Sequence, residues 1–263
     1  MTFEKVEAEL LYPLALEDSA RHYFICYTIN NGQTFEGAWK YQVGDSPEVG
    51  LFLRKTGIIQ IAVKPGFEIA TIRQAIETLL KEIPWKQANI PASQASVLEQ
   101  MSFNLKQYES AKIAICTPED YKPSSSMKTF DMRMLNESDL DEVIELYKTV
   151  FKGFASRTYM SEKLTSGRGR AVGVFIDGVL VSVAQSDYEC KESAIIVGVA
   201  TRLSYQGKGV GRFCFEALSK ELIKEGKTLY LQYDSDIAGA LYKSVGFKIL
   251  DKIVHIENKS FTL

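Results

Sequence analysis

The segment "VATRLSYQGKGVGRF", residues 199–213, decides the fold because it joins an apolar strand end to an amphipathic helix through three closely spaced glycines. Gly207, Gly209 and Gly211 alternate with other residues, although a glycine within a helix costs roughly 1 kcal/mol relative to alanine. Successive backbone N–H groups in such a turn, backed by a helix N-terminus, form an anion site. With the basic Lys208 inside the turn, the segment predicts a site for a phosphate or pyrophosphate.

The spacing of this glycine loop excludes two common phosphate-binding motifs. A Walker A loop has glycine five residues before its Gly-Lys pair and serine or threonine after it, whereas this chain has Arg202 and Gly209 there. A dinucleotide fingerprint requires G-x-G-x-x-G, which the loop does not match. The remaining pattern is Gln206-x-x-Gly209-x-Gly211, placed after an apolar strand and at the start of a helix.

Composition excludes several classes of function. The 263 residues are 46% hydrophobic, which is enough for one large core or two smaller ones. The net charge of −2, with acids and bases interspersed, argues against a general nucleic-acid binder. The opening "MTFEKVEAELLYPLALEDSARHYF" is a poor secretory signal, and no apolar run is long enough to cross a bilayer. We therefore expect a cytoplasmic protein without nucleic-acid or membrane partners.

Cysteine and histidine usage argues against metal and triad chemistry. The cysteines are far apart and form no metal-like pair, so we expect buried free thiols in a reducing compartment. They are Cys26, Cys116, Cys190 and Cys214. His22 and His255 are the only histidines, which argues against a histidine-ligated metal or a Ser-His-Asp site. No metal cofactor is predicted.

The second half of the chain has the pattern of one domain that follows a linker. The stretch "TPEDYKPSSSMKT", residues 117–129, combines prolines, a serine run and charges, as linkers do. Downstream, apolar periodicity predicts the order β-α-α-β-β-β-α-β-α-β. Its first helix is expected to open with a Ser138-x-x-Asp141 capping box, and Asp177-Gly178 predicts a tight hairpin.

The first half closes with the same order of strand and helix as the second. Placing Phe103 on Phe247 aligns "SVLEQMSF" with "ALYKSVGF", which indicates a degenerate internal duplication. The prediction is an α/β protein with a mixed, α+β sheet, divided into an N-terminal lobe (residues 1–117), a linker (118–128) and a C-terminal domain (129–263). The alternative is an unrelated α/β domain in the first half.

Two motifs of the second half together resemble the GNAT superfamily of acyl-CoA-dependent N-acyltransferases. The motif at residues 206–211 is similar to the family's pyrophosphate-binding loop, and "LYKSVGF", residues 241–247, is similar to its closing helix and strand. The resemblance covers residues 129–257. The segment "TRLSYQGKG" and the long first half resemble the two-lobed, glycine N-acyltransferase-like branch. A GNAT fold in the C-terminal half and a degenerate GNAT-like lobe in the N-terminal half are implied.

The resemblance implies an N-acetyltransferase that moves acetyl from acetyl-CoA, its cosubstrate, to a primary amine of a small molecule by direct attack. The CoA pyrophosphate is expected on the glycine loop. The pantetheine arm is expected beside the strand end, where the sheet of this family splays. Acyl-CoA binding is thereby assigned to Val199, Ala200, Thr201, Gln206, Gly207, Lys208, Gly209, Val210, Gly211 and Arg212.

The same resemblance makes Tyr242 the candidate catalytic residue, as proton donor to the departing CoA thiolate. Taken alone, a tyrosine in an apolar helical stripe is usually a core residue with its hydroxyl at the rim. The upstream copy has Leu98 at this position and only one glycine in its "KPGFE" loop. It is therefore predicted to bind no acyl-CoA.

The general base is not identified by the sequence. The carboxylates nearest the apolar strand "SAIIVGVAT" are expected to be solvated strand-end charges: Asp187, Glu189 and Glu192. Ser235 stands where an asparagine is common in the family, so a polar contact to the pantetheine arm is weakened or comes from Asp234 or Asp236. The segment "FKGFASRTY", residues 151–159, either shapes the acceptor pocket or is a plain surface loop.

Two other functions stay open. A non-catalytic acyl-CoA-binding or sensing module would retain the loop without the chemistry, which fits the missing asparagine and base. A purely structural two-lobed protein would use its glycines for packing, but leaves Gln206, Lys208 and Tyr242 unexplained. The sequence carries no indication of an oligomeric state.

Overall fold

The computed structural model describes residues 2–30, 35–124 and 129–260, and its contacts divide the chain into two compact units. The N-terminal unit comprises residues 1–113 together with 251–263, and the C-terminal unit comprises residues 114–250. None of the helices within the described ranges is long and apolar enough to cross a membrane.

The N-terminal unit holds a mixed sheet in the order β1-β2-β3-β4-β5-β12-β6, where β12 is the last strand, Lys248–Asn258. Of the five pairs from β1 to β12, only β4–β5 is parallel. Short 3-10 turns precede α1 and α3, at Ala8–Leu11 and Ile69–Ile72. The elements are β1 (Glu4–Val6), α1 (Tyr12–Leu16), α2 (Tyr23–Asn30), β2 (Phe35–Val43), β3 (Ser46–Arg54), β4 (Ile58–Val63), α3 (Arg73–Glu82), β5 (Gln87–Pro91), α4 (Ala92–Glu99) and β6 (Leu105–Cys116).

The C-terminal unit repeats this plan with the order β7-β8-β9-β10-β11, and only its β10–β11 pair is parallel. Its 3-10 turns, at Glu137–Asp139 and Leu203–Tyr205, precede α5 and α7. The elements are β7 (Asp131–Met134), α5 (Leu140–Val150), α6 (Arg157–Thr165), β8 (Ala171–Ile176), β9 (Val179–Asp187), β10 (Ser193–Thr201), α7 (Val210–Lys224), β11 (Thr228–Tyr233), α8 (Asp236–Ser244) and the beginning of β12, up to residue 250.

The two units share one topology. Strands β1 to β5 follow one another in the same order and directions as β7 to β11. In each unit two helices follow the first strand, and one helix makes the crossover that a parallel pair requires. The predicted mixed α/β fold is confirmed, and the repeated topology agrees with the proposed duplication.

The last strand differs from the predicted domain ranges. The end of β12 pairs with β5, from Ile253 opposite Pro91 to Glu257 opposite Gln87, so this strand belongs to the N-terminal unit from Asp251 onward. Its Val254 and Ile256 side chains are buried in the N-terminal core. The end of β6, Ala114 and Cys116, lies in the C-terminal core instead. An alternating apolar pattern predicts a strand but not the partner on which it pairs.

The predicted linker is docked over its described part. The Lys122 N–H donates to the Val245 carbonyl at 3.0 Å, and Tyr121 packs against the C-terminal core. The Ser124 N–H donates to Glu216 at 3.0 Å. Residues 118–124 therefore belong to the C-terminal unit, while residues 125–128 lie outside the described part of the chain.

Local sequence signals are confirmed at one turn and corrected at another. Asp177 and Gly178 have φ of 51° and 75°, as the type I′ turn of a two-residue hairpin requires. The capping box before α5 uses Asn136 and Asp139, not Ser138 and Asp141. It lies two residues earlier because the helix begins with a 3-10 turn.

Candidate functional site

The described pairing of β10 with β11 stops before either strand ends, and we call the unpaired part between these strands the cleft. Their register ends with Ile196 opposite Leu231, although both strands continue beyond that pair. On its other side β10 carries a bulge, in which Gly198 and Val199 stand opposite Ala184 of β9. Ligands of open α/β sheets commonly bind outside the carboxyl ends of parallel strands, which is the position of this cleft.

The glycine loop lies at the end of β10 and opens α7. Gly207 and Gly209 adopt φ of 72° and 88°, in the left-handed region that favours glycine. A side chain at either position would meet no protein atom within 4 Å, so the outer side of the loop is open. Gly209 is the N-cap of α7, whose first amides have no partner within the helix. The loop can therefore accept an anion on backbone donors.

Gly211 and Gln206 join the loop to the strand. A Cβ atom at Gly211 would lie 2.5 Å from Oγ1 of Thr201, so glycine allows α7 to begin against the end of β10. The Gln206 side chain donates to the Thr201 carbonyl at 3.0 Å. In this structure both residues shape the loop.

The loop's cations differ in their surroundings. Arg202 donates to the Leu180 carbonyl at 2.7 Å. Arg212 pairs with Glu216 at 3.2 Å and donates to the Ser244 hydroxyl at 2.6 Å. Lys208 is exposed, with Nζ 5.4 Å from the ring centroid of Tyr205. Lys208 is thus the loop cation with the greatest freedom to face an anion.

Tyr242 lies in an aromatic cluster beside the open end of β11. Its ring centroid is 5.0 Å from that of Phe215, 5.5 Å from that of Tyr233 and 6.0 Å from that of Phe247. Tyr233 is the last residue of β11, which puts Tyr242 next to the cleft. Burial raises the pKa of Tyr242 to about 12, with a smaller contribution from Tyr233, so the phenol stays protonated at neutral pH.

Ser235 caps α8, the helix that carries Tyr242. Its hydroxyl accepts from the Ala238 N–H at 3.5 Å. Asp234 and Asp236 on either side are exposed. The polar groups at this end of β11 thus include a capping serine and two exposed carboxylates.

The expectation of solvated acids is wrong for two of the three carboxylates near β10. Asp187 is fully buried and accepts from the Tyr159 hydroxyl at 2.6 Å and from Arg168 Nε at 3.3 Å. Glu189 accepts from Arg170 at 2.5 Å. Glu192 is exposed, as expected. The turn between α6 and β8 supplies both arginines, a pairing that sequence spacing does not reveal.

A buried polar chain reaches the β10 bulge and was not predicted from sequence. Lys163 of α6, 2% exposed, donates to the Gln185 side-chain carbonyl, and burial lowers the pKa of its amine to about 8. The Gln185 amide donates to the Tyr147 hydroxyl at 2.8 Å, and that hydroxyl donates to the Gly198 carbonyl at 2.7 Å. The sequence held one sign that Lys163 is buried: it lies three and four residues after the apolar Met160 and Tyr159, on the same helix face.

The four cysteines, all within the described residues, are not joined by disulfides, but one prediction of burial is wrong. Cys26, Cys116 and Cys214 are buried, whereas Cys190 is exposed in the loop between β9 and β10. Among the described residues, no group of three or more histidine, cysteine or acidic side chains is placed to hold a metal.

A split mixed sheet, with an open glycine loop at the start of the following helix, defines a transferase of the GNAT class. Residues 69–253 match the family described as GNAT acetyltransferase, and the chain belongs to that family. Members of this family generally use acetyl-CoA as cosubstrate. No curated protein sequence matches the chain.

Solved structures similar to this chain have the same fold. A GNAT-family acetyltransferase from Colwellia psychrerythraea is 13% identical, with a TM-score of 0.71 over 98% of this chain and 100% of its own. A tandem GNAT protein from the clavulanic acid biosynthesis pathway is 12% identical, with a TM-score of 0.65 over 97% and 98%. A GCN5-related N-acetyltransferase from Kribbella flavida is 18% identical, with a TM-score of 0.61 over 84% and 90%. The tandem relative supports a two-lobed arrangement.

Proposed function

We propose that the C-terminal unit transfers an acetyl group from acetyl-CoA to a primary amine of a small molecule. The observation that carries this proposal is the cleft after the Ile196–Leu231 pair, with the open glycine loop at its end. Three buried thiols favour a reducing compartment, which we take to be the cytoplasm. The glycine N-acyltransferase-like branch remains our interpretation of the loop sequence.

The glycine loop would bind the CoA pyrophosphate. The amides from Gly207 to Gly211 and the positive end of the α7 dipole would supply donors and field, and Lys208 would add a cation. Gln206 and Gly211 would act by holding the loop against Thr201, as their contacts indicate. Val210 and Arg212 would contribute as residues of the first helical turn.

The pantetheine arm would pair with the part of β10 that has left β11. This part includes Val199, Ala200 and Thr201, beyond the last paired residue. A backbone N–H of this segment would donate to the thioester carbonyl and stabilise the negative charge that develops as the amine attacks. The C–N bond forms as the C–S bond breaks, and the thiolate leaves.

Two protons move in this reaction. The buried phenol of Tyr242 would donate to the departing thiolate and be reprotonated, through water, by the proton that the nitrogen loses as the amide forms. An alkylammonium with a pKa near 10.4 must first lose a proton, a cost of roughly 4–5 kcal/mol at pH 7. Asp187 and Glu189 already hold guanidinium partners, which favours a water chain for this step.

The acceptor side of the cleft would be lined by Phe151 and Phe154, whose rings pack on the buried Tyr147. Tyr147, whose hydroxyl contacts the bulge, lies 5.1 Å from Phe151 and 5.5 Å from Phe154, measured between ring centroids. Phe154 is 38% exposed and available to an incoming molecule. This lining supports an amine that also carries apolar surface.

The test is incubation of the protein with acetyl-CoA and a mixed library of primary amines, following thiol release and thermal stabilisation together. Amine-dependent thiol release supports the proposal. Stabilisation by acetyl-CoA without turnover supports a non-catalytic acyl-CoA-binding module. The ion pairs of Asp187 and Glu189 with arginines would suit such a module, because they leave neither carboxylate as an obvious base. If the protein shows neither thiol release nor thermal stabilisation, both functions are overturned and a structural role is left.

A further inference from the structure

A buried chain of hydrogen bonds ends on the bulge of β10, and we name it the bulge relay. It runs from Lys163 through Gln185 and Tyr147 to the carbonyl of Gly198. Its three side-chain members are 1% to 3% exposed. Burying an ammonium and an amide costs free energy unless they are hydrogen-bonded, so we expect that such a chain serves a role.

The relay has one direction. An ammonium can only donate, so Lys163 holds the carbonyl side of the Gln185 amide and leaves its NH2 group facing Tyr147. The Tyr147 oxygen therefore accepts, and its single hydrogen is directed to Gly198. Reversing the amide would place two donors against each other at Lys163.

The hydrogen bond from Tyr147 fixes the orientation of the peptide group between Gly198 and Val199. Its φ of 58° is in the left-handed region, and a Cβ atom there would collide with the Tyr147 hydroxyl. The Gly198 carbonyl and the Val199 N–H belong to one planar trans peptide and point in opposite directions. The hydrogen bond from Tyr147 therefore also orients the Val199 N–H.

We propose that Lys163, Gln185 and Tyr147 are positioning residues that aim the Val199 N–H at the acyl carbonyl. This proposal rests on the proposed function, since it gives that N–H its ligand. The residues act through the bulge and touch no substrate atom. Their loss should weaken the hydrogen bond from the Val199 N–H to the acyl carbonyl. The binding of the CoA portion should not change, because it depends on the glycine loop.

The decisive variant is Gln185→Glu, which keeps the side-chain size and gives Lys163 a buried ion partner. A carboxylate only accepts, so it takes the Tyr147 hydrogen away from Gly198. We expect kcat for acetyl transfer to fall about ten- to a hundredfold, less than the 10²–10³ seen when an oxyanion donor is removed outright. The dissociation constant of free CoA should stay within about twofold of wild type.

A second readout does not require turnover. With valine labelled by nitrogen-15, the Val199 amide resonance should shift in Gln185→Glu and in Tyr147→Phe. Tyr121→Phe is the matched control, because it also removes a phenol hydroxyl within the C-terminal unit but contacts Glu216. Lys163→Met should give the same resonance shift, since the donor that orients Gln185 is gone.

The outcomes separate the two proposals. If wild type transfers no acetyl group, the proposed function fails, and the Val199 resonance still reports whether the relay orients the peptide. If the folded variants keep both the wild-type resonance and the wild-type kcat, the relay is overturned. Should Gln185→Glu fail to fold, Tyr147→Phe decides by the same two measurements.

Discussion

The Nε2 atom of His22 accepts a hydrogen bond from the backbone N–H of Val63 at 3.3 Å. Val63 is the last residue of β4, which pairs with β5 only as far as Ile59. This position is the N-terminal counterpart of the cleft between β10 and β11. In the N-terminal unit, a side chain of the protein therefore takes the backbone donor that an extended ligand would need.

One acetyl-CoA per chain is the first prediction. Besides His22 on Val63, the loop "KPGFE" has only Gly66, and Leu98 stands where the C-terminal unit has Tyr242. We expect titration calorimetry with acetyl-CoA to give a stoichiometry of one. Two molecules per chain would contradict the prediction that the N-terminal unit binds no acyl-CoA.

Acid should destabilise the N-terminal unit through His22. Burial lowers the pKa of His22 to about 4 from its ordinary 6.5; nearby Asp18 opposes this shift and Arg21 adds to it. Between these values the unfolded chain binds a proton that the folded chain does not, so stability falls as pH drops from 6.5 to 4. The loss reaches about 3 kcal/mol at pH 4.

Tryptophan fluorescence can follow this loss selectively, because Trp39 and Trp85 both lie in the N-terminal unit. His22→Gln should lower the stability at pH 7, since the bonds to Val63 and Ala15 are disturbed, and flatten the pH dependence below 6.5. His255→Gln is the control, because it also replaces an imidazole of the N-terminal unit but leaves the bonds to Val63 and Ala15 in place. A slope unchanged by His22→Gln would assign acid sensitivity to other groups.

Gly209→Val should abolish CoA binding by placing a side chain where the pyrophosphate would lie. Gly66→Val is matched to it, because Gly66 has φ of 83° and open space around its Cβ position, close to the 88° and open space of Gly209. Both variants carry similar backbone strain, of order 1–3 kcal/mol. Calorimetry should show at least a tenfold loss of CoA affinity for Gly209→Val alone; equal affinities would reject the loop as the phosphate site.

Tyr242→Phe should lower kcat about ten- to a thousandfold with little change in acetyl-CoA affinity, as the loss of a proton donor predicts. The ring contacts to Phe215 and Phe247 remain, so thermal stability should be nearly unchanged. Steady-state kinetics and calorimetry on the same preparation check both parts. Wild-type turnover would make Tyr242 a packing residue.

Sequence patterns predicted most elements because apolar periodicity and turn residues act locally. The glycine loop, the Asp177-Gly178 hairpin and the crossover helix all follow from short-range rules. The burial of Asp187 was not predictable, since its partner Arg168 comes from a separate turn. The bulge relay was missed for the same reason: Lys163 and Gln185 meet across a helix and a strand.

The pairing of β12 with β5 also constrains how the chain folds during synthesis. Domains generally fold in order as they leave the ribosome, N-terminal first. Here the sheet of the N-terminal unit lacks its partner along β5 until residue 257 has been made. By then every residue of the C-terminal unit has already been translated. The first unit to be started is thus the last to be finished, and nascent chains should expose the β5 edge to chaperones throughout elongation.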